Sequence, residues 1–229
     1  MSEINDKENT AFQEIDTTEA VEVPVEDNNK SNNLYKEVLS YLILIVVAFA
    51  LAQVIHRYLF TPVTVIGESM EPTIIGETNT KVGDRILLSR VAKIDRFDII
   101  VFDVPHKDEP YIKRVIGLPG DNVYMEKYKL YINGELIDET YLDKNPIYTG
   151  LEYARGHTSF TLDQICAITG VNCQVDGKTV IPEGYYLVLG DNRNNSEDSR
   201  MIGLIHKDDI IGQALFVFYP LNRFGKSFG

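Results

Sequence analysis

The chain has 229 residues, 44% of them hydrophobic, and a net charge of −12, which suits one domain of ordinary size with appendages. The acidity is concentrated: residues 1–33 hold nine Asp and Glu against Lys7 and Lys30, a local charge of −7, which leaves −5 for the other 196 residues. An acidic chain without a basic stripe argues against nucleic-acid binding, and two cysteines, four scattered histidines and no tryptophan argue against a metalloprotein.

Residues 1–33 have Phe12 as their one aromatic residue and no apolar periodicity, so they cannot bury enough surface to offset chain entropy and read as a disordered tail. Val38 to Ile55 then runs for 18 residues without a charge, roughly 27 Å as a helix and close to the hydrocarbon thickness of a bilayer. Tyr35, Lys36 and Tyr41 on one side and His56, Arg57 and Tyr58 on the other suit the two interfaces. No small-residue cleavage site follows the run, so residues 34–60 read as a retained single-pass anchor. Flanking charges determine its orientation weakly.

From residue 61 the periodicity changes to strands. Val63-Thr64-Val65-Ile66 alternates, and Phe97 to Phe102 is apolar on both faces apart from Asp98, as expected of an interior strand. Asn133-Gly134 between Lys129–Ile132 and Glu135–Ile137 predicts a two-residue hairpin. Pro182-Glu183-Gly184 turns the chain into the buried strand Tyr185–Leu189, and Ile210–Tyr219 is a last strand stopped by Pro220. The expected fold of residues 61–229 is mainly β, an antiparallel barrel or sandwich. A turn-rich, irregular insertion covers about 141–178.

Three stretches could carry chemistry. Ser69 lies in the Gly- and Pro-bracketed loop Gly67-Glu68-Ser69-Met70-Glu71-Pro72-Thr73, where a serine is either a turn residue or a nucleophile. A nucleophile needs a base, and His56, His106, His157 and His206 all sit in settings that read as solvated. Lysine is the other route. In Tyr111-Ile112-Lys113-Arg114-Val115-Ile116-Gly117 a strand puts Tyr111, Lys113 and Val115 on one face. Desolvation there would favour the neutral amine that a general base must be, unless the side chain snorkels to water. The third stretch, Gly190-Asp191-Asn192-Arg193-Asn194-Asn195-Ser196-Glu197-Asp198-Ser199-Arg200, has no apolar side chain and directly follows an interior strand. Asp198 and Arg200 can pair across a tight turn, and Ser196 can hydrogen-bond an amine.

Together these boxes resemble the type I signal peptidase family, serine–lysine endopeptidases of the single-anchor, Gram-positive-like branch. The match extends through Arg96–Phe102, Leu118-Pro119-Gly120-Asp121 and the ending Phe218–Gly225. The resemblance implies that Ser69 is the nucleophile, Lys113 its general base and Ser196 the holder of the amine. It implies supporting ion pairs Asp198–Arg200 and Asp191–Arg114, and apolar substrate pockets lined by Val63, Val65, Met70, Ile74, Tyr111 and Ile112. Some members carry a serine where this chain has Gly67, so the oxyanion would rest on backbone N–H groups, that of Ser69 included. The implied activity is removal of signal peptides after small residues at −1 and −3, with no cofactor and no metal. Implied partners are preprotein signal peptides, membrane lipid and the secretion translocon, and the implied location is the cell membrane, N-terminus cytoplasmic and catalytic domain outside. Cys166 and Cys173 could form a disulfide or remain free thiols, which geometry decides. An inactive, signal-peptide-capturing relative would have lost Ser69 or Lys113, and a self-cleaving regulator would carry a DNA-binding domain in place of the anchor.

Overall fold

A computed structural model describes residues 28–142 and 159–228. The acidic tail before Asn28 and His157 lie outside the described residues. Contacts divide the chain into two units, residues 1–49 and 50–229. Helix α1 spans Asn28–Val54 and passes through a wider turn, Ile55–Leu59, into the first strand. It begins ahead of the expected boundary at 34, because each added residue gains a backbone hydrogen bond once a helix is nucleated. From Leu34 to Leu59 the mean hydropathy reaches 2.7 and the apolar window is wholly unburied, so the segment is long and apolar enough to cross a membrane.

The second unit is mainly β. Its large sheet contains β1 (Phe60–Thr64), β2 (Arg85–Ser89), β3 (Ile99–Phe102) and β4 (Tyr111–Gly117). A small sheet of β5 (Val123–Glu126), β6 (Lys129–Ile132) and β7 (Glu135–Leu136) follows. After the hairpin come helix α2 (Leu162–Thr169), the two-residue strands β8 (Gln174–Val175) and β9 (Lys178–Thr179), and β10 (Tyr185–Leu189). Helix α3 (Ser199–Ile202), β11 (Ile205–His206) and β12 (Ile210–Tyr219) complete the chain of elements. The large sheet is antiparallel throughout, ordered β1-β2-β12-β3-β4-β10-β11. Register shifts between Ile210 and Gly212, Ala214 and Phe216, and Val217 and Tyr219 interrupt β12. Such bulges bend and twist a strand.

The interior strand β3 is covered on both faces, which is why it reads as a continuous apolar run. Ile99 and Val101 of β3 join Val65, Met70, Ile86, Leu88 and Ile112 in one cluster, while Ile100 and Phe102 join Val115, Val188 and Ile205 in another. A third cluster lies between the small sheet, β10 and α2. Full burial of each such side chain contributes about 1.5–3 kcal/mol.

Two expectations differ from the fold in detail. Phe97 and Asp98 precede β3 rather than belong to it, since Phe97 takes a φ of 73° in a turn. The described part of the 141–178 stretch is not irregular throughout. Thr161 accepts from Gln164 N–H while the Gln164 side chain accepts from Thr161 N–H, a capping box that starts α2 and lets Leu162, Ile165 and Cys166 enter the core. Gly170, at φ 73°, ends the helix. Cys166 and Cys173 are joined as a disulfide, both buried in the third cluster.

Close approach of two backbone segments shapes the loop after β1. A Cβ on Gly76 would lie 1.8 Å from the Gly67 carbonyl oxygen and 2.6 Å from its carbon, so these segments touch without room for a methyl group. Gly76→Ala is expected to destabilise the unit by about 2 kcal/mol or more, the usual cost of overpacking against atoms that cannot swing away. Denaturant unfolding checks it; an unchanged midpoint would show that the segments separate freely.

Candidate active site

Ser69 stands in the loop that leaves β1. The β1–β2 ladder continues past Thr64, with Val65 N–H donating to Asp84 O at 2.9 Å and Glu77 N–H returning to Val65 O at 2.8 Å. Between them Glu71 N–H donates to Glu68 O and Ile74 N–H to Met70 O, which folds residues 68–74 into consecutive tight turns. Gly67, exposed and at φ 82°, supplies the left-handed residue that swings the chain out of the strand. The fully buried Asp84 carboxylate accepts Ile75 N–H at 2.9 Å and both arms of Arg223, whose Nη2 also reaches Thr73 O at 3.0 Å. A residue beyond the last strand therefore pins the serine loop.

Lys113 enters from the middle of β4, paired with Ile100 of β3 and 3% exposed. Its Nζ lies 2.7 Å from Ser69 Oγ and donates to the Ile112 carbonyl at 2.8 Å. The Tyr111 ring, two residues away on the same strand face, has its centroid 5.0 Å from the amine. Burial pushes the Lys113 pKa down from 10.5 to about 8, against the pull of Asp198, Glu197 and Asp191, whose negative charges favour the ammonium. Desolvation is the larger effect, so the amine is neutral far more readily than a surface lysine.

Residues 190–200 close over this pair from the end of β10. Asn192 N–H donates to Ser69 O at 3.0 Å and its side-chain amide to Glu68 O at 3.1 Å, so one asparagine grips the carbonyls of both Glu68 and Ser69. Gly190 must be glycine: a Cβ there would meet Ser196 Oγ at 2.2 Å and Ser69 O at 2.6 Å. Asp198 caps α3, accepts Gly190 N–H and takes a two-pronged pair from Arg200 at 2.8 Å on each arm. Burial raises the pKa of Asp198, but Arg200 and the Gly190 N–H outweigh it and hold the carboxyl below its ordinary range. Arg114 pairs with Asp191 in the same manner at 2.9 and 2.7 Å, and its remaining arm holds Phe97 O and Phe228 O. Breaking either buried pair would leave an uncompensated charge, typically a loss of about 3–5 kcal/mol.

Each residue named from the sequence can now be located. Ser69 and Lys113 meet, and both Asp–Arg pairs form. Ser196 is in the site but does not bond the amine; its Oγ is buried, close enough to Asp198 to favour the carboxylate, yet without a hydrogen bond of proper geometry among the described residues. Val65, Met70, Ile74 and Ile112 share one buried cluster with Val63 packed against it, and Tyr111 belongs to the neighbouring one. His106 is exposed and His206 pairs with Asp208. Among the described residues no group of three or more His, Cys, Asp and Glu is placed to hold a metal ion.

Sequence reasoning missed three contributors. Glu139 binds both arms of the buried Arg193, whose Nε holds Gly190 O, and Tyr141 stacks under Arg114 with its ring centroid at 4.3 Å. Asp84 and Arg223 anchor the serine loop. Glu197 accepts from Tyr111 at 2.7 Å. The first two depend on partners far apart in sequence that no local pattern announces. The third was visible only as one acidic residue within a box.

A hydroxyl held against a desolvated amine is equipment for forming an alkoxide-like nucleophile, the property of a hydrolase of the serine class. Comparison with known proteins gives the family. Residues 38–219 match the family described as signal peptidase, peptidase S26. Signal peptidase IB of Staphylococcus aureus strain COL is 37% identical over 193 residues, 84% of this chain and 95% of that one. Signal peptidase I of Bacillus licheniformis is 37% identical over 205 residues, 87% and 96% of the two chains. A signal peptidase I crystal structure from Enterococcus faecalis is 35% identical and covers 54% of this chain and 97% of its own, with a TM-score of 0.39. The chain belongs to the signal peptidase family, and is therefore a peptidase.

Keeping an amine out of water has a measurable effect on the fold. A lysine whose pKa is about 8 folded and 10.5 unfolded binds its proton less tightly in the native state, so it destabilises the fold fully below about pH 8, and the penalty fades as pH rises to 10.5. At pH 7 the difference amounts to about 3 kcal/mol, offset in part by contacts the amine makes. Lys113→Met, similar in volume, is expected to be more stable than the parent at pH 7, with the gap closing toward pH 10.5. Denaturant unfolding at both pH values checks this; a variant less stable at pH 7 would contradict a desolvated lysine.

Proposed function

We propose that this chain removes N-terminal signal peptides from exported preproteins, with Ser69 as nucleophile and Lys113 as general base. The observation that carries the reading is the 2.7 Å contact between Ser69 Oγ and a buried Lys113 amine. Ser69 Oγ attacks the carbonyl after a small residue while its proton passes to Lys113. The resulting ammonium then protonates the departing amine, leaving an ester on Ser69. Water, deprotonated by the same lysine, hydrolyses that ester. The backbone N–H of Ser69 would face the oxyanion, since Gly67 offers no hydroxyl.

The supporting residues act by position. Asp198–Arg200 and Asp191–Arg114 fix the loop that grips the Ser69 backbone. Ser196, a buried hydroxyl with an unmet hydrogen bond, is suited to hold the amine once it has taken the proton. For the substrate, β1 is an edge strand. Because Val65 bonds toward β2, alternation turns Pro62, Thr64 and Ile66 to the open side, and Pro62 there costs the sheet no ladder bond. An extended peptide could pair with Thr64 and Ile66, its alternate side chains resting on the half-buried Val63 and Tyr111 and the edge of Ile112, with Val65, Met70 and Ile74 packed behind them. The apolar segment Leu34–Leu59 would anchor the enzyme in the cell membrane as a single span, with the N-terminus cytoplasmic and the peptidase unit outside. Membrane lipid and the secretion translocon would then be its neighbours, and confinement beside the signal peptide would raise effective concentration.

The pKa of Lys113 makes a pH test direct. At about 8, roughly a tenth of the amines are neutral at pH 7, against about one in 3,000 at the ordinary value of 10.5. Processing of a preprotein with an A-x-A site by the detergent-solubilised full chain should fall about tenfold per pH unit below about 8, and both Ser69→Ala and Lys113→Ala should abolish it. Cleavage that survives either substitution, or a rate flat between about pH 5 and 9, would sink the assignment.

A further inference from the structure

Beside Lys113 lies a cluster that the catalytic scheme leaves unused. The Tyr111 ring has two amines near it, its centroid 5.0 Å from Lys113 Nζ and 5.8 Å from Lys107 Nζ. Its hydroxyl donates to Glu197 Oε2 at 2.7 Å, and Lys107 Nζ reaches the two oxygens of the same carboxylate at 3.0 and 3.2 Å. The three residues come from the turn between β3 and β4, from the start of β4 and from the loop after β10. They tie these segments together along one flank of the site. Glu197 is only partly exposed, and the hydrogen bond from Tyr111, then that from Lys107, holds its carboxyl below the usual range and favours the charged form.

We propose that Glu197, held by Tyr111 and opposed by Lys107, is a positioning residue that sets how readily the Lys113 amine keeps its proton. The inference rests on Lys113 being the base. The ring face turned to the amine favours the ammonium over the neutral form, and a carboxylate on the ring's hydroxyl acts in the same direction. Lys107 works against both. The other groups that face the amine are Ser69 from the serine loop and Asp191 and Asp198 from the loop after β10. Those two carboxylates are already committed to Arg114 and Arg200 in buried two-pronged pairs. Glu197 differs from them in having a partially solvated lysine as counter-ion, so its influence on Lys113 is adjustable by a surface charge. The site thus combines a fixed electrostatic floor with one tunable wall.

The signs of two substitutions separate this device from a structural tie. Glu197→Gln keeps a hydrogen-bond acceptor for Tyr111 but removes the charge, and should move the acid limb of the kcat/KM profile to lower pH by about 0.5 unit at low ionic strength. Lys107→Gln frees the carboxylate and should move the limb the opposite way by a similar amount, about 0.5 unit, both displacements shrinking in salt. The full-length enzyme in detergent, a preprotein with an A-x-A site and the Lys113→Ala control supply the measurement. Opposite displacements support the inference. Profiles that coincide with the parent's, or limbs that move in the same direction, overturn it while loss of activity in Lys113→Ala leaves the dyad standing. Activity in Lys113→Ala would instead overturn the dyad, and this inference with it.

Discussion

In the proposed dyad, Lys113 takes a proton from Ser69 only while its amine is shielded from water, and shielding it obliges the fold to tolerate a charge in its interior whenever the proton arrives. The burial that lowers the pKa to about 8 comes from β4 lying in the middle of a two-sided sheet. Three acidic groups keep the ammonium from being prohibitive. Too little burial would leave a surface lysine that is protonated at neutral pH. Too much, without Asp198, Glu197 and Asp191, would leave an amine unable to accept the serine proton.

Those acidic groups impose requirements of their own. Asp198 and Asp191 are buried, so each needs a guanidinium with matching two-pronged geometry. The guanidinium of Arg114 then needs acceptors for its spare donors, which Phe97 O and Phe228 O supply. Arg193 is in the same position and finds Glu139. The polar network therefore grows outward from the amine until it reaches water, enlisting β4, the loop after β10, the residues after β7 and the segment after β12.

Much of this was legible in the sequence because strands repeat every two residues. The common face of Tyr111, Lys113 and Val115 follows from spacing alone, and so does the covered character of β3 and β10. The Asp198–Arg200 pair was legible because two residues across a turn have little choice of partner. Arg223 with Asp84 and Glu139 with Arg193 were not, since pairs 139 and 54 positions apart exist only once strand order is fixed. Helix α2 escaped notice for a different reason. Eight residues give too few periods to see, although Thr161 and Gln164 carry a recognisable start signal. The unmet hydrogen bond of Ser196 is likewise a matter of ångströms that no spacing encodes.

The clasp between Arg223 and the serine loop has a temporal side. Thr73 O waits for a donor 150 residues downstream, and Arg114 waits for a carbonyl 114 residues downstream. Contacts of such sequence separation form late, after the loop-closure entropy between them has been overcome. A nascent chain emerging from the ribosome carries Ser69 long before it carries the clasp that holds that residue's loop. The loop that carries Ser69 thereby acquires its clasp only after residue 223 has been made.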